Sequence, residues 1–284
     1  MNLKQVNLND LPKYYPWPER LLGLSPWLIK PRTIEKTEAE YNQDKYLRCL
    51  NMLNEKNSQM TMEEMKTYEQ AADNSIEICI SLEDELFTST LIEAKQKLFD
   101  EIKNTLHPSI LKSSTIIELG AGYGYNLWKL SKEFPNTKLN WIAGEYANNA
   151  IQIGEKIAGK NINFFKFNFY KTPYNILENT SGLITLFTVY AAQQLPSSKD
   201  ILIGLRPYKN KIHRVVFFES VYEHYDHNSM LGLMRKRYID LCDYNTDMLT
   251  ILKAAEDVEI VSERKNVFGM NPLLPASIIE WKFK

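Results

Sequence analysis

Two acids in this sequence stand where a carboxylate can meet a ligand. Glu118 ends the β-branched run Thr115-Ile116-Ile117 and is followed, after Leu119, by Gly120-Ala121-Gly122-Tyr123-Gly124. Glu145 ends the next apolar run, just past Gly144. Glycines at alternate positions let the backbone turn sharply and approach a bound molecule. A carboxylate beside such a turn can accept two hydrogen bonds side by side. A third group follows a later apolar run: Glu219, Ser220, Tyr222, Glu223, His224 and His227. His224 is the best placed of these for a general base, and its ordinary titration range suits that work. Taken as a metal cluster, Glu223, His224, Asp226 and His227 complete no tetrahedral set by spacing, so no metal is expected.

These residues need elements to hold them. Residues 115–119 read as a strand, the glycines as its turn, and 125–133 as a helix that stops before Pro135. Strand, glycine turn and helix in that order build a crevice at the carboxyl end of a strand. From residue 114 onward strands and helices alternate. Further strands are predicted over 138–143, 162–167, 182–188, 212–219, 258–263 and 277–283, with helices over 147–158 and 197–205 and one long helix over 229–255. Ahead of them, 34–54, 62–72 and 91–107 read as helices and 76–81 as a short strand. The predicted organisation is a mainly helical N-terminal cap, residues 1–113, on an α/β core, residues 114–284, with no flexible linker between them. Residues 12–31 hold five prolines among Tyr14, Tyr15, Trp17 and Trp27. This irregular strap either packs on the core or acts as a lid, with Tyr14 and Tyr15 as substrate contacts.

The segment from Glu118 to Gly124 resembles motif I of the class I S-adenosylmethionine methyltransferases, E/D-x-G-x-G-x-G, rather than the GxGxxG of dinucleotide sites. The resemblance implies a Rossmann-like α/β fold with a seven-stranded, mostly parallel sheet, helices on both faces, and S-adenosylmethionine as cofactor. It implies that Gly120, Ala121, Gly122, Tyr123 and Gly124 line the cofactor, that Glu118 faces its amino group, and that Glu145 holds both ribose hydroxyls. Tyr146 then packs against the adenine and Phe169 flanks it. Asn168 stands where the family often has an acid for the adenine amino group; its amide oxygen either takes that role or caps the following turn. Tyr190, with Gln193 and Gln194, falls at the family's motif IV beside the methyl group, or packs between helix and sheet.

The implied activity is methyl transfer by in-line displacement to an oxygen of a small-molecule or peptide natural product. The segments 235–238 and 269–275 are similar, in general character, to those of peptide-modifying carboxylate methyltransferases. A carboxylate acceptor is preferred, because no Lys-Asp pair or metal triad for hydroxyl activation stands out. A carboxylate is already ionised and needs positioning, for which Arg206, Arg235 and Arg237 are candidate forks, with Tyr222 beside them. A hydroxyl or sugar acceptor would use His224 as base, near Glu219. N-methylation and a non-catalytic protein that kept the fold are the alternatives.

Composition narrows the partners. Lys plus Arg is 34 and Asp plus Glu is 35, with no long basic run, which argues against nucleic acid. Cys49, Cys79 and Cys242 are far apart and form no disulfide framework or zinc spacing, as in a reducing cytoplasm. Residues 1–10 have no apolar stretch of signal-peptide length, and no window suits a bilayer span. A cytoplasmic enzyme with no membrane partner is expected.

Overall fold

The computed structural model describes residues 3–25, 32–70, 72–135 and 138–284. Its largest element is a seven-stranded sheet. Five strands run parallel: β4 (Thr115–Leu119), β5 (Asn140–Glu145), β6 (Ile162–Lys166), β7 (Ile184–Val189) and β8 (Ile212–Glu219). β9 (Val258–Phe268) and β10 (Ala276–Phe283) form a hairpin, and β10 pairs antiparallel to β8. The spatial order is β6-β5-β4-β7-β8-β10-β9. The chain runs outward from β4 to β6 and then returns to β7 on its other side. The carboxyl ends of β4 and β7 therefore flank the topological switch point where ligands bind. This is the Rossmann-like, mostly parallel architecture predicted for the core.

Helices cover both faces. α5 (Leu91–Ile110), α6 (Tyr125–Glu133) and α7 (Asn148–Ile157) pack on one core built on Ile116, Trp141, Val216 and Phe218. α8 (Lys199–Leu205) and α10 (Met248–Ala254) pack on the other, around Ile117, Leu186, Phe217 and Trp281. Alternate residues of the same strands feed opposite cores, as the two-residue period of a strand requires.

The N-terminal part adds α1 (Trp17–Leu21), α2 (Ile34–Thr37), a π-helical stretch Glu38–Lys45, α3 (Tyr46–Glu55) and α4 (Met62–Gln70). At the start of α4 the Thr61 N–H donates to the Glu64 carboxylate and the Glu64 N–H to the Thr61 hydroxyl oxygen, and Thr90 with Glu93 forms the same box at the start of α5. α9 (Met230–Cys242) lies beside α1.

The structure corrects several sequence expectations. The predicted strand at 76–81 is β2 (Glu77–Leu82), but it pairs with an unforeseen β3 (Glu85–Thr90), and β1 (Lys4–Gln5) extends them to a three-stranded sheet. The predicted helix over 34–54 buries Tyr46, Cys49, Leu50 and Leu53, while Leu47 is exposed. α5 continues through Pro108, past the predicted end at 107, and the proline removes one intrahelical hydrogen bond close to the helix's C-terminus rather than in its middle. The predicted helix 229–255 is two helices. Asp243 breaks it in the left-handed region (φ 57°), which Asp tolerates better than most residues. Of the strap, Pro26, Trp27 and Pro31 lie outside the described residues. Among the described residues, no helix is long and apolar enough to cross a membrane.

Candidate functional site

Tertiary packing leaves a cavity of about 370 Å³ at the carboxyl ends of β4, β5, β6 and β7. That volume lies in the range of small-molecule sites. Its floor is the glycine turn. Gly120, Gly122 and Gly124 all have positive φ, where side chains are strained. A Cβ on Gly120 would lie 2.5 Å from Cβ of Ala191, and one on Gly122 would lie 2.7 Å from the Tyr46 hydroxyl. The turn is thus closed on both sides, by the β7 loop and by the cap.

Glu118 is buried at the edge of this floor. Asn126 Nδ2 donates to its Oε1 at 2.7 Å, and its Oε2 has no hydrogen-bond partner. Burial pushes its carboxyl up to about 8, helped by nearby Glu145 and opposed by the Asn126 hydrogen bond, the Lys66 charge and the Leu127 backbone N–H. A buried carboxyl oxygen without a partner is costly, so a cation placed beside it gains more than it would in water.

Glu145 lines the cavity beyond β5. It accepts the Gly122 N–H at Oε2 (2.7 Å) and the Ala147 N–H at Oε1 (2.6 Å). Burial raises its pKa, opposed by the backbone N–H groups of Ala147, Gly122 and Tyr146 and by the Lys166 charge. Each oxygen keeps a second lone pair for a ligand hydroxyl. The acid therefore ties the β4 turn to the start of α7.

Tyr146, Asn168 and Phe169 line the end of the cavity under β5 and β6. The Lys166 ammonium sits over the Tyr146 ring at 4.4 Å. Phe169 meets Phe167 and Tyr174 edge to face. Asn168 Oδ1 accepts the Tyr170 N–H at 2.8 Å, so its amide oxygen caps the turn.

At the end of β7, Tyr190 lines the cavity with φ 52°. Strain of this kind in a residue with a large side chain is characteristic of ligand sites. Gln194 also lines the wall and donates to Tyr41 Oη at 3.1 Å and to the Tyr190 carbonyl at 3.0 Å. Gln193 instead turns inward and accepts the Ser220 N–H.

The roof comes from the N-terminal part and carries no motif. Tyr41, Asn42 and Lys45 project from the π-helical stretch, Tyr46 from α3, Lys66 and Glu69 from α4, and Lys95 and Leu98 from α5. Glu69 accepts from Lys45 (2.6 Å), Lys66 (2.7 Å) and the Tyr123 hydroxyl (2.8 Å). Its burial favours the neutral acid, but the two ammonium groups outweigh that and hold it well below the usual carboxylate range. Sequence reading missed this group. Its clearest signal was helical: Lys66 and Glu69 are three apart on one face.

Several predicted site residues are placed elsewhere. Glu219 is fully buried beneath the site and accepts the N–H groups of Ala191, Ala192 and Gln193. It shapes the β7 loop rather than facing the cavity, and burial pushes its carboxyl up to about 7. His224 also does not line the cavity. Its Nδ1 pairs with Ser277 Oγ (2.8 Å) and its Nε2 with Glu263 (3.0 Å), so neither ring nitrogen is available as a base toward a ligand there. Burial lowers its pKa despite the Glu263 contact. Tyr14 and Tyr15 pack with Leu231, Tyr238 and Leu273, away from the cavity, because their rings fill an apolar cluster against α9. Tyr15 does act through one neighbour: its hydroxyl donates to the carbonyl of Met270, which lines the cavity.

Tyr222 carries the Lys236 ammonium over its ring and stands off the lining, as does exposed Arg237. The other two candidate forks are occupied by the chain itself. Arg235 is buried and donates to Asp84, Pro272 and Glu83, and Arg206 holds Asp257 with two hydrogen bonds. Glu223 accepts the N–H groups of Leu249 and Thr250 at the start of α10.

No family model matches the sequence, and no curated protein matches it. Solved structures similar to parts of it include LepI in complex with SAM, at 14% identity and TM-score 0.44, matched over 61% of this chain and 43% of that one. The chain thus spans less than half the length of LepI. Another is the magnesium protoporphyrin IX methyltransferase ChlM from Synechocystis PCC 6803 with bound SAH, at 11% identity, TM-score 0.48, and 67% and 84% coverage. A third is the N-methyltransferase NodS from Bradyrhizobium japonicum WM9 with SAH, at 12% identity, TM-score 0.46, and 66% and 86% coverage.

Proposed function

We propose that this chain is an S-adenosylmethionine-dependent methyltransferase, acting on an oxygen of a small-molecule or peptide acceptor. One observation carries the reading: Glu118, a buried carboxyl with one oxygen lacking a hydrogen-bond partner, lines a cavity floored by three positive-φ glycines, with Glu145 also in its lining. The residues present fit the cofactor. Glu118 Oε2 receives the methionine ammonium, Glu145 the ribose hydroxyls, and Tyr146 with Phe169 the adenine faces. Asn168 Oδ1 caps the turn and keeps a second lone pair, which is available to the adenine amino group.

The cofactor, when bound, supplies an electrophilic methyl group on a sulfonium. The chain's own work is alignment and exclusion of water. Gly120 to Gly124 fix the ligand's backbone-facing side, and Tyr190 and Gln194 wall the β7 end. Tyr41 and Tyr46 close the roof. Holding donor and acceptor in line in such a site supplies several kcal/mol, roughly 7–11 in the best cases. His224 is withdrawn as a base because both of its ring nitrogens are engaged. That favours an acceptor that is already ionised, a carboxylate, over a hydroxyl that must lose its proton at the site.

Calorimetry tests the reading: S-adenosylhomocysteine binds and NAD does not. No detectable heat with S-adenosylhomocysteine removes the reading. For the oxygen class, a methylated product that releases methanol in mild alkali is an ester; an alkali-stable product rejects the carboxylate form.

A further inference from the structure

The cavity's two ends differ in charge. Under β5 and β6 it is aromatic, with Tyr146, Phe169 and Tyr170 beside Glu145. Toward α5 and the β9–β10 turn it presents Lys66, Lys95, Leu98 and Met270. Ala94 and Leu98 of α5 pack there with Phe268 and Met270, which places Lys95 on the β8–β10 side of the glycine turn. That is the side away from the adenine end proposed above.

The ammonium groups at this end are not balanced alike. Lys66 and Lys45 share Glu69. Lys95 instead donates to a neutral partner, Asn74 Oδ1, at 2.6 Å. The groups around Lys95 are Lys66, Glu63 and Glu69, all on α4. Glu63 is exposed and accepts the Tyr125 hydroxyl at 2.6 Å, and Glu69 is already shared by two lysines. Burial lowers the Lys95 pKa and Lys66 lowers it further, while Glu63 and Glu69 only partly oppose this. Glu118 lies near Lys66, but its carboxyl is pushed up to about 8 by burial and Glu69 is already shared, so the two ammonium groups at this end are in conflict until a further anion sits between them.

We propose that Lys95, supported by Lys66, binds the anionic group of the methyl acceptor, so that the acceptor is a carboxylic acid; this rests on the methyltransferase reading above. Lys95 is then a specificity-determining residue contributed by the helix that leads into β4. A carboxylate there forms charge-assisted hydrogen bonds to both ammonium groups, within the same cavity that Val189 and Tyr190 line at the end of β7.

Fluorine NMR on the full chain saturated with S-adenosylhomocysteine tests this, with 4-fluorobenzoate and the isosteric neutral 4-fluorobenzamide as probes. Wild type is expected to bind the benzoate at least about tenfold more tightly than the amide, the worth of one charge-assisted contact. Lys95→Met erases the preference and Lys95→Arg restores it. No preference in wild type, or a preference that survives Lys95→Met, overturns the proposal. The remaining source of a carboxylate is the cofactor's own amino-acid end. If Lys95→Met weakens S-adenosylhomocysteine tenfold but leaves 5′-methylthioadenosine unchanged, Lys95 serves the cofactor and the proposal is overturned. If wild type binds neither nucleoside, the methyltransferase reading itself fails and this inference falls with it.

Discussion

Glu118 and Glu219 occupy equivalent places and have opposite surroundings. Each closes or nearly closes a parallel core strand, and each is buried. Around Glu219 the β7 loop folds so that three backbone N–H groups point at one carboxyl. Around Glu118 the glycine turn leads the backbone away, and one oxygen is left buried without a hydrogen-bond partner in a residue that lines the cavity. An acid saturated by its own backbone is scaffold. An acid left half-satisfied at a cavity is a binding group in waiting. Strand-end position alone does not separate the two, and the path of the next loop does.

Substitutions at the two acids sharpen the contrast. Glu118→Gln keeps the shape and the Asn126 contact but removes the charge. S-adenosylhomocysteine affinity, measured by calorimetry, is expected to fall about 10- to 100-fold, the loss of a buried charge-assisted contact. Equal affinity in the variant would make Glu118 another scaffold acid. Glu219→Gln has its main effect on the fold: one amide oxygen cannot replace both carboxylate oxygens, and about 1–3 kcal/mol of unfolding free energy is lost. Its nucleoside affinity, corrected for the folded fraction, stays within about threefold. A larger loss of binding than of stability would reverse the assignment.

The pH dependence of stability runs the same way for both acids. Their folded pKa values, about 8 and about 7, lie above the ordinary carboxylate range. The folded state therefore binds more protons than the unfolded state from about pH 4.5 to 8, and stability attributable to these groups declines as pH rises through that window. Glu118→Gln removes its share of the decline. The variant should be more stable than wild type at pH 8 by roughly 1–3 kcal/mol in urea unfolding, and no more stable near pH 4. A variant that is less stable at pH 8 would mean that the buried carboxylate is satisfied in the free protein. The smallest effect is expected at His224. His224→Gln retains polar contacts on the outer hairpin and should leave nucleoside affinity unchanged, and a tenfold loss would bring His224 back into the site.

The difference between local and distant contacts also decides what the sequence disclosed. The glycine turn, Glu118 and Glu145 were legible because a strand, its turn and the next strand end encode the floor within one short stretch. The roof was not. Tyr46 reaches Gly122, and Glu69 reaches Tyr123, from far earlier in the chain. Each of these cap residues reads by itself as part of an ordinary amphipathic helix. The Glu38–Lys45 segment follows a π-helical winding that a 3.6-residue period does not describe.

The β2–β3 hairpin escaped for a related reason. Its turn at Glu83-Asp84 contains no glycine or asparagine, although Glu83 has φ 53°. Asp84 is held from outside by buried Arg235 at 2.6 Å, and Asn266 bonds the same oxygen. The break at Asp243 is similar. Asn245 N–H donates to the Gln193 carbonyl, and Asp247 accepts from Ser197 and Ser198, so the β7 loop competes with the helix for that segment.

The most direct measurement is calorimetric titration of S-adenosylhomocysteine against wild type and Glu118→Gln at pH 6, 7 and 8. If a ligand ammonium pairs with Glu118, the carboxyl must ionise on binding, so wild-type affinity rises with pH toward about 8 and binding releases a proton. The variant binds more weakly and without that pH dependence. Wild-type affinity that is flat over this range and unchanged in Glu118→Gln would contradict the assignment of Glu118 as the cofactor's anionic partner.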